Sequence, residues 1–131
     1  MKKALLTILF GITSLTIFGQ ARLGSTATEI KNEFWESTYN LKSGYTDDGI
    51  YYVSIETERA TVIYWFNTDK VCTLCMIVPD NQGALNFYVE LYNRQYVIVS
   101  STKWKMYSDG GIAEISLIYP DDGGYYFLWS N

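Results

Sequence analysis

Residues 50–67, IYYVSIETERATVIYWFN, run for eighteen residues with neither glycine nor proline, and they are rich in the β-branched and aromatic side chains that suit strands. As one strand they would extend roughly 60 Å at 3.3 Å per residue, longer than a domain of this size is wide. The chain therefore has to reverse inside the segment, and the polar stretch 57–60 is the expected hairpin. Alternation puts Ala60, Val62, Tyr64 and Phe66 on one face, with Thr61, Ile63 and Trp65 on the other. In the preceding arm Tyr51, Val53 and Ile55 oppose Ile50, Tyr52 and Ser54. Both faces are apolar enough that the outer one does not read as a plain solvated surface. One calls for a covering layer, and the other for further cover or a ligand.

The rest of the chain is organised around similar strands. Segments 39–45, 71–78, 97–107, 112–119 and 125–130 read as strands, separated by the turn sequences YTDDG, NTDK, SDGG and PDDGG. Two helices interrupt them. Thr26 and Glu29 form a capping box ahead of Ala27, Ile30 and Phe34, which predicts a helix over about 27–36. Asn81 or Asp80 caps a second helix, whose stripe Leu85, Tyr88, Val89, Tyr92 and Tyr96 keeps helical spacing. The order is helix, about four strands, helix, about three strands, with short connections that demand antiparallel pairing. The expected fold is an α+β two-layer domain: an antiparallel meandering sheet of about six to seven strands with two helices on one face.

The stretch Gly24-Ser25-Thr26-Ala27-Thr28-Glu29-Ile30, followed by Phe34, resembles the opening of small exported bacterial domains of the β-lactamase-inhibitor-protein-like and SmpA/OmlA outer-membrane-assembly lipoprotein families. The resemblance covers about a dozen residues and implies a helix-then-meander order and protein binding through the sheet. Unlike the lipoproteins, this chain has no cysteine next to its N-terminal apolar segment.

That segment has the layout of a secretory signal. Lys2 and Lys3 precede an apolar run over 4–18, and Gly19, Gln20 and Ala21 supply small or polar residues at the junction. The run is shorter than the roughly 20 residues a lasting membrane helix needs. Cleavage is expected after Ala21, or after Gly19 to leave Gln20 first; the former gives a signal over 1–21, a single domain over 22–131, and a periplasmic or extracellular product without membrane insertion. Removing Lys2 and Lys3 leaves 8 basic against 14 acidic residues. This balance argues against nucleic acid and anionic lipid as partners, since phosphate binding requires concentrated positive charge.

Chemistry is sparse. The chain has no histidine, hence neither the usual proton shuttle near neutral pH nor the commonest metal ligand. Its two cysteines, Cys72 and Cys75, lie inside VCTLCMIV rather than at a helix start, so a thioredoxin-type site is not expected. In a regular strand they point to opposite faces about 10 Å apart, beyond disulfide reach. Zinc would need further ligands. Buried free thiols are expected, a bridge requiring a bulge in the strand. Glu56 and Glu58 share a face at about 6.6 Å on a regular strand, a spacing compatible with glycoside hydrolysis, but they fall at the hairpin beside Arg59. Asp47-Asp48 and Asp121-Asp122 are turn residues. No enzymatic activity, cofactor or metal is expected.

Aromatic residues make up 17% of the chain, with 12 Tyr, 4 Trp and 6 Phe. Tyr51, Trp65, Trp104 and Tyr107 are the candidate binding residues, as an aromatic-rich sheet face. The expected function is a small exported binding module, contacting another envelope or extracellular protein and able to self-associate. The alternatives are a carbohydrate-binding module using Tyr and Trp platforms, or an exported domain of no assigned activity. Protein interfaces mix aromatics with aliphatics, as Val53 and Ile63 do here, which favours the first.

Overall fold

The computed structural model describes residues 22–34, 36–108 and 111–131, without the side chains of Glu36 and Ser37. The expected signal segment 1–21 lies outside the described residues, as do Trp35 and the centre of the SDGG turn. The elements in chain order are α1 (Ala27–Glu33), α2 (Glu36–Tyr39), β1 (Lys42–Tyr45), β2 (Tyr51–Glu56), β3 (Ala60–Phe66), β4 (Cys72–Pro79), α3 (Gln82–Gln95), β5 (Val97–Ser100), β6 (Lys103–Ser108), β7 (Gly111–Ile118) and β8 (Tyr126–Ser130).

The strands form one open antiparallel sheet in the order β1-β2-β3-β4-β8-β7-β6-β5. It has eight strands rather than six to seven. The added strand comes from 97–107, read as one strand in sequence, which breaks at Ser101-Thr102 and folds back so that Ile98 pairs with Trp104. The helical order also differs. The first helix stops when Phe34 takes an extended conformation as its C-cap, and a separate four-residue helix follows. The first strand accordingly starts at Lys42 rather than at Tyr39.

Local signals explain the boundaries. Thr26 Oγ1 accepts from the Glu29 N–H while Glu29 Oε1 accepts from the Thr26 N–H, closing the capping box. Asn81 Oδ1 accepts from the Ala84 N–H and starts α3. The 57–60 hairpin closes with the Thr57 N–H donating to the Ala60 carbonyl at 2.8 Å. In the NTDK turn, Asn67 Oδ1 accepts from the amides of Asp69 and Val71, which supports Lys70 at φ +62°, a conformation lysine rarely takes.

Among the described residues, the strands of two four-stranded meanders, β1–β4 and β5–β8, therefore pair with each other only at β4 and β8. α3 carries the chain from the centre of the sheet to its far edge. Its 14 residues span about 21 Å at 1.5 Å per residue, and the four strand spacings from β4 to β5 amount to about 19 Å. The helix is as long as the crossing it makes.

One face of the sheet is covered. The directly paired row Val53, Tyr64, Cys75, Trp129, Ile115, Trp104 is buried throughout. Ala27, Ile30 and Phe34 of α1 lie in the same core as Leu85, Tyr88, Leu91 and Tyr92 of α3. Tyr92 is its centre: its ring lies 5.0 Å from Phe127, 5.6 Å from Trp104 and 5.7 Å from Trp129, and its hydroxyl accepts from Trp129 Nε1. Tyr92→Ala should cost about 3–5 kcal/mol. Tyr92→Phe, which keeps the rings but orphans the indole N–H, should cost about 1–3 kcal/mol. Paired urea unfolding curves check both, and equal costs for the two variants would contradict this packing.

Candidate functional site

The second face of the sheet is the candidate site. Every described helix contributes its buried residues to the first face, and alternation sends the remaining strand residues to the other. Pairing arranges them in rows. One row runs Ser54, Ile63, Met76, Leu128, Ser116, Lys103 from β2 to β6. The next runs Tyr52, Trp65, Leu74, Ser130, Glu114, Lys105. Apolar side chains occupy the centre of this face, on β3, β4 and β8. Hydroxyls, carboxylates and ammonium groups occupy the flanks. Most of the central residues are half-buried by one another, and the Tyr52 and Trp65 rings pack at 5.7 Å with their planes tilted by 52°.

The four candidate aromatics do not form one cluster. Trp65 and Tyr107 lie on this open face, but β3 and β6 are four spacings apart, about 19 Å. Trp104 is 1% exposed and belongs to the core, where its Nε1–H donates to Asn93 Oδ1 at 2.8 Å. Tyr51 also faces the helical side, between Tyr45 and Phe66, with Lys70 Nζ 4.3 Å from its ring centroid. Burial pushes the Tyr51 phenol up, but hydrogen bonds with Lys31 and Ser43 and the nearby lysine charges outweigh it and leave the pKa below the ordinary value. Tyr52, Met76, Leu74 and Leu128 are the open-face residues that the sequence reading missed. The signal for Tyr52 was in the hairpin: with Glu56 opposite Thr61, Trp65 falls opposite Tyr52 and not Tyr51.

The cysteines also depart from a regular strand. Phe66 pairs with Cys72 but Trp65 pairs with Leu74, so Thr73 is an extra residue in β4. This bulge turns both Cys72 and Cys75 toward the core, correcting the expectation that they face opposite ways. Both are buried free thiols, and Cys72 Sγ donates to the Leu74 carbonyl. Glu56 and Glu58 do not act as a pair: Asn40 Nδ2 donates to Glu56, whereas Glu58 meets Arg59 at 3.4 Å. Among the described residues no three thiol or carboxylate side chains converge, and no helix is long and apolar enough to cross a membrane.

Burial pushes the Cys72 thiol up to about 12 and the Cys75 thiol well above its ordinary value. It raises the phenols of Tyr64, Tyr88 and Tyr92 likewise, and that of Tyr96 to about 12. Groups that hold their protons more tightly when folded stabilise fully below their unfolded pKa, about 8.5 for a thiol and 10 for a phenol. That contribution is lost as pH rises toward the folded value. Unfolding free energy should therefore be level to about pH 8 and fall from there toward pH 12, and the Cys72→Ala/Cys75→Ala variant should delay the onset to about pH 10. Both thiols should resist alkylation in the native protein and react on denaturation.

Compared with protein-family models, curated proteins and solved structures, the chain matches none of them.

Proposed function

We propose that this chain is an exported protein-binding module, without catalytic chemistry of its own, that presents the open sheet face to another envelope or extracellular protein. One observation carries the reading: the centre of that face is apolar on β3, β4 and β8, through Ile63, Trp65, Leu74, Met76 and Leu128, while its flanks carry Ser54, Glu56, Glu114, Lys103 and Lys105. An apolar centre with a polar rim is the anatomy of a protein interface. Met76 and the aliphatic residues fit a packed protein partner. The tilted Tyr52 and Trp65 rings fit a flat sugar platform less well, since stacking under a sugar ring requires near-parallel planes. The resemblance of residues 24–34 to exported inhibitor-like and assembly-lipoprotein domains accords with the same use of the sheet.

Export rests on residues 1–21. Intact mass of protein recovered from a secreting host should show loss of about 19–21 residues; an uncleaved chain would overturn this part.

The face itself is tested by contrast between two tryptophans. Trp65→Ser should cost about 1–2 kcal/mol, since its side chain is only partly buried, against Tyr52, whereas Trp104→Ala, at a fully buried site, should cost about 3–5 kcal/mol. With stability nearly kept, Trp65→Ser and Met76→Lys should abolish capture of the partner from envelope extracts. A Trp65→Ser variant as destabilised as Trp104→Ala, or one that still captures the partner at full yield, counts against the open face.

A further inference from the structure

The two edges of the sheet are treated differently. β1, at one end, carries Lys42, Ser43, Gly44 and Tyr45, and so has the charge and glycine that usually discourage pairing with a further strand. β5, at the other end, reads Val97, Ile98, Val99, Ser100, with no charge and no proline. Val97 is 52%, Ile98 56% and Val99 51% exposed. Ile98 continues the buried row beyond Trp104 yet lies open, because α3 ends at Gln95 and runs directly into β5 instead of covering it. Among the described residues, β5 is thus largely uncovered on both faces. Its outer backbone groups also meet no other strand among the described residues.

The edge opens into a groove. A cavity of about 560 Å³ is lined by Arg94, Tyr96, Val97, Lys105, Met106 and Tyr107, where β6 runs on past the start of β5. Tyr107 beside it is 59% exposed, and Ile112 opposite Tyr107 is 47% exposed. Basic groups surround this apolar rim in a chain whose overall balance is acidic. Lys103 and Lys105 alternate with buried Trp104, so both point to the open face of β6. Arg94 sits in the last turn of α3. Two carboxylates are near: Glu114 opposes Lys105 from the far side of β6, and Glu90 precedes Arg94 by one turn. Neither lies within ion-pair distance of these cations, and no carboxylate of the described residues does.

We propose that β5 is a strand-docking site for an extended, apolar segment of another protein that carries carboxylates. The segment pairs its backbone with Val97–Ser100 and continues into the groove beside Arg94. An added strand lies two spacings, about 9.6 Å, from β6, within reach of lysine side chains extending over β5. Main-chain pairing supplies affinity, and alternate side chains supply specificity. A second copy of this chain fits less well: two edges brought together would set Lys103 and Lys105 of each copy against those of the other. Four-residue strands side by side also bury far less than the roughly 1,200 Å² of a stable interface. This site shares Lys103 and Lys105 with the polar flank of the open face but none of its apolar centre on β3, β4 and β8, and Trp65→Ser distinguishes failure of one from failure of the other.

The test uses fluorescein-labelled hexapeptides, Glu-Val-Thr-Val-Glu-Val and Lys-Val-Thr-Val-Lys-Val, titrated with the purified protein and followed by anisotropy. The acidic peptide should bind at least about tenfold tighter at low salt, with the gap shrinking as salt rises. The Lys103→Glu/Lys105→Glu variant should invert the preference. N-methylation of alternate peptide amides should cost about tenfold or more, because it removes the ladder donors. Trp65→Ser should leave peptide binding unchanged, which separates this edge from the central face. All the substituted residues are exposed or half-exposed, and a melting curve confirms that each variant is folded. Equal affinity for the two peptides, or indifference to N-methylation, would overturn the proposal. So would a concentration-dependent dimer that binds no peptide and that Val97→Lys/Val99→Lys returns to monomer, which would assign the edge to a second copy.

Discussion

The ladder between β4 and β8 holds the two halves of the sheet together. Among the described residues, four residue pairs, from Leu74 opposite Ser130 to Ile77 opposite Phe127, form the only strand contact between the two meanders. Backbone hydrogen bonds alone contribute modestly, since each replaces one to water. The seam is closed by what packs over it. Tyr92, fully buried, touches Phe127 and Trp129 of β8 and Trp104 of β6, and accepts the one hydrogen bond that the Trp129 indole can donate. Edge-to-face rings with a satisfied polar tip add stabilisation beyond the area they bury. Once the ladder is sealed in this way, α3 is fixed across the second meander, and its length delivers the chain to the β5 edge.

Covering one face decides what the other can be. Both helices that carry large buried residues lie on the same side, and together they bury the row from Val53 to Trp104. Nothing in the strand sequences required that arrangement, since β3 is nearly as apolar on its second face. The consequence is a sheet whose outer surface has an apolar centre and a polar border, with the aromatic pair Tyr52 and Trp65 at one side. The same crossing ends α3 beside β5 without laying it over the strand, so among the described residues the sheet has a broad exposed face and one bare edge. These are different recognition geometries, the first reading side chains and the second reading backbone.

The buried thiols show how a single inserted residue changes a local argument. In a regular strand Cys72 and Cys75 would lie on opposite faces. The extra residue Thr73 lets β4 keep its pairing with β3 on both sides of the bulge while sending both thiols inward. The bulge places polar Thr73 outside and leaves Leu74 beside Trp65 on the open face. The cysteines therefore act as small core side chains, consistent with their raised proton affinity.

Much of the architecture was written locally. The length of 50–67 forced a hairpin, Thr57 marked it, and alternation grouped Ala60, Val62, Tyr64 and Phe66 on one face, because period-2 patterns need no partner to be read, without saying whether that face is core. The Thr26–Glu29 box and the Asn81 cap fixed two helix starts for the same reason, as each is satisfied within one turn. Parity could have gone further: Trp104 and Tyr107, three apart in one strand, cannot share a face, and the hairpin register pairs Trp65 with Tyr52 rather than Tyr51. What no local rule supplied was the break at Ser101-Thr102, the bulge at Thr73, and above all the side on which the helices lie. Those depend on contacts between residues distant in the chain, such as Tyr92 with Trp129 and Phe34 with Tyr64. Sequence alone determined which residues are apolar and how they alternate; only the assembled layers decided which of the two apolar faces became core and which stayed open.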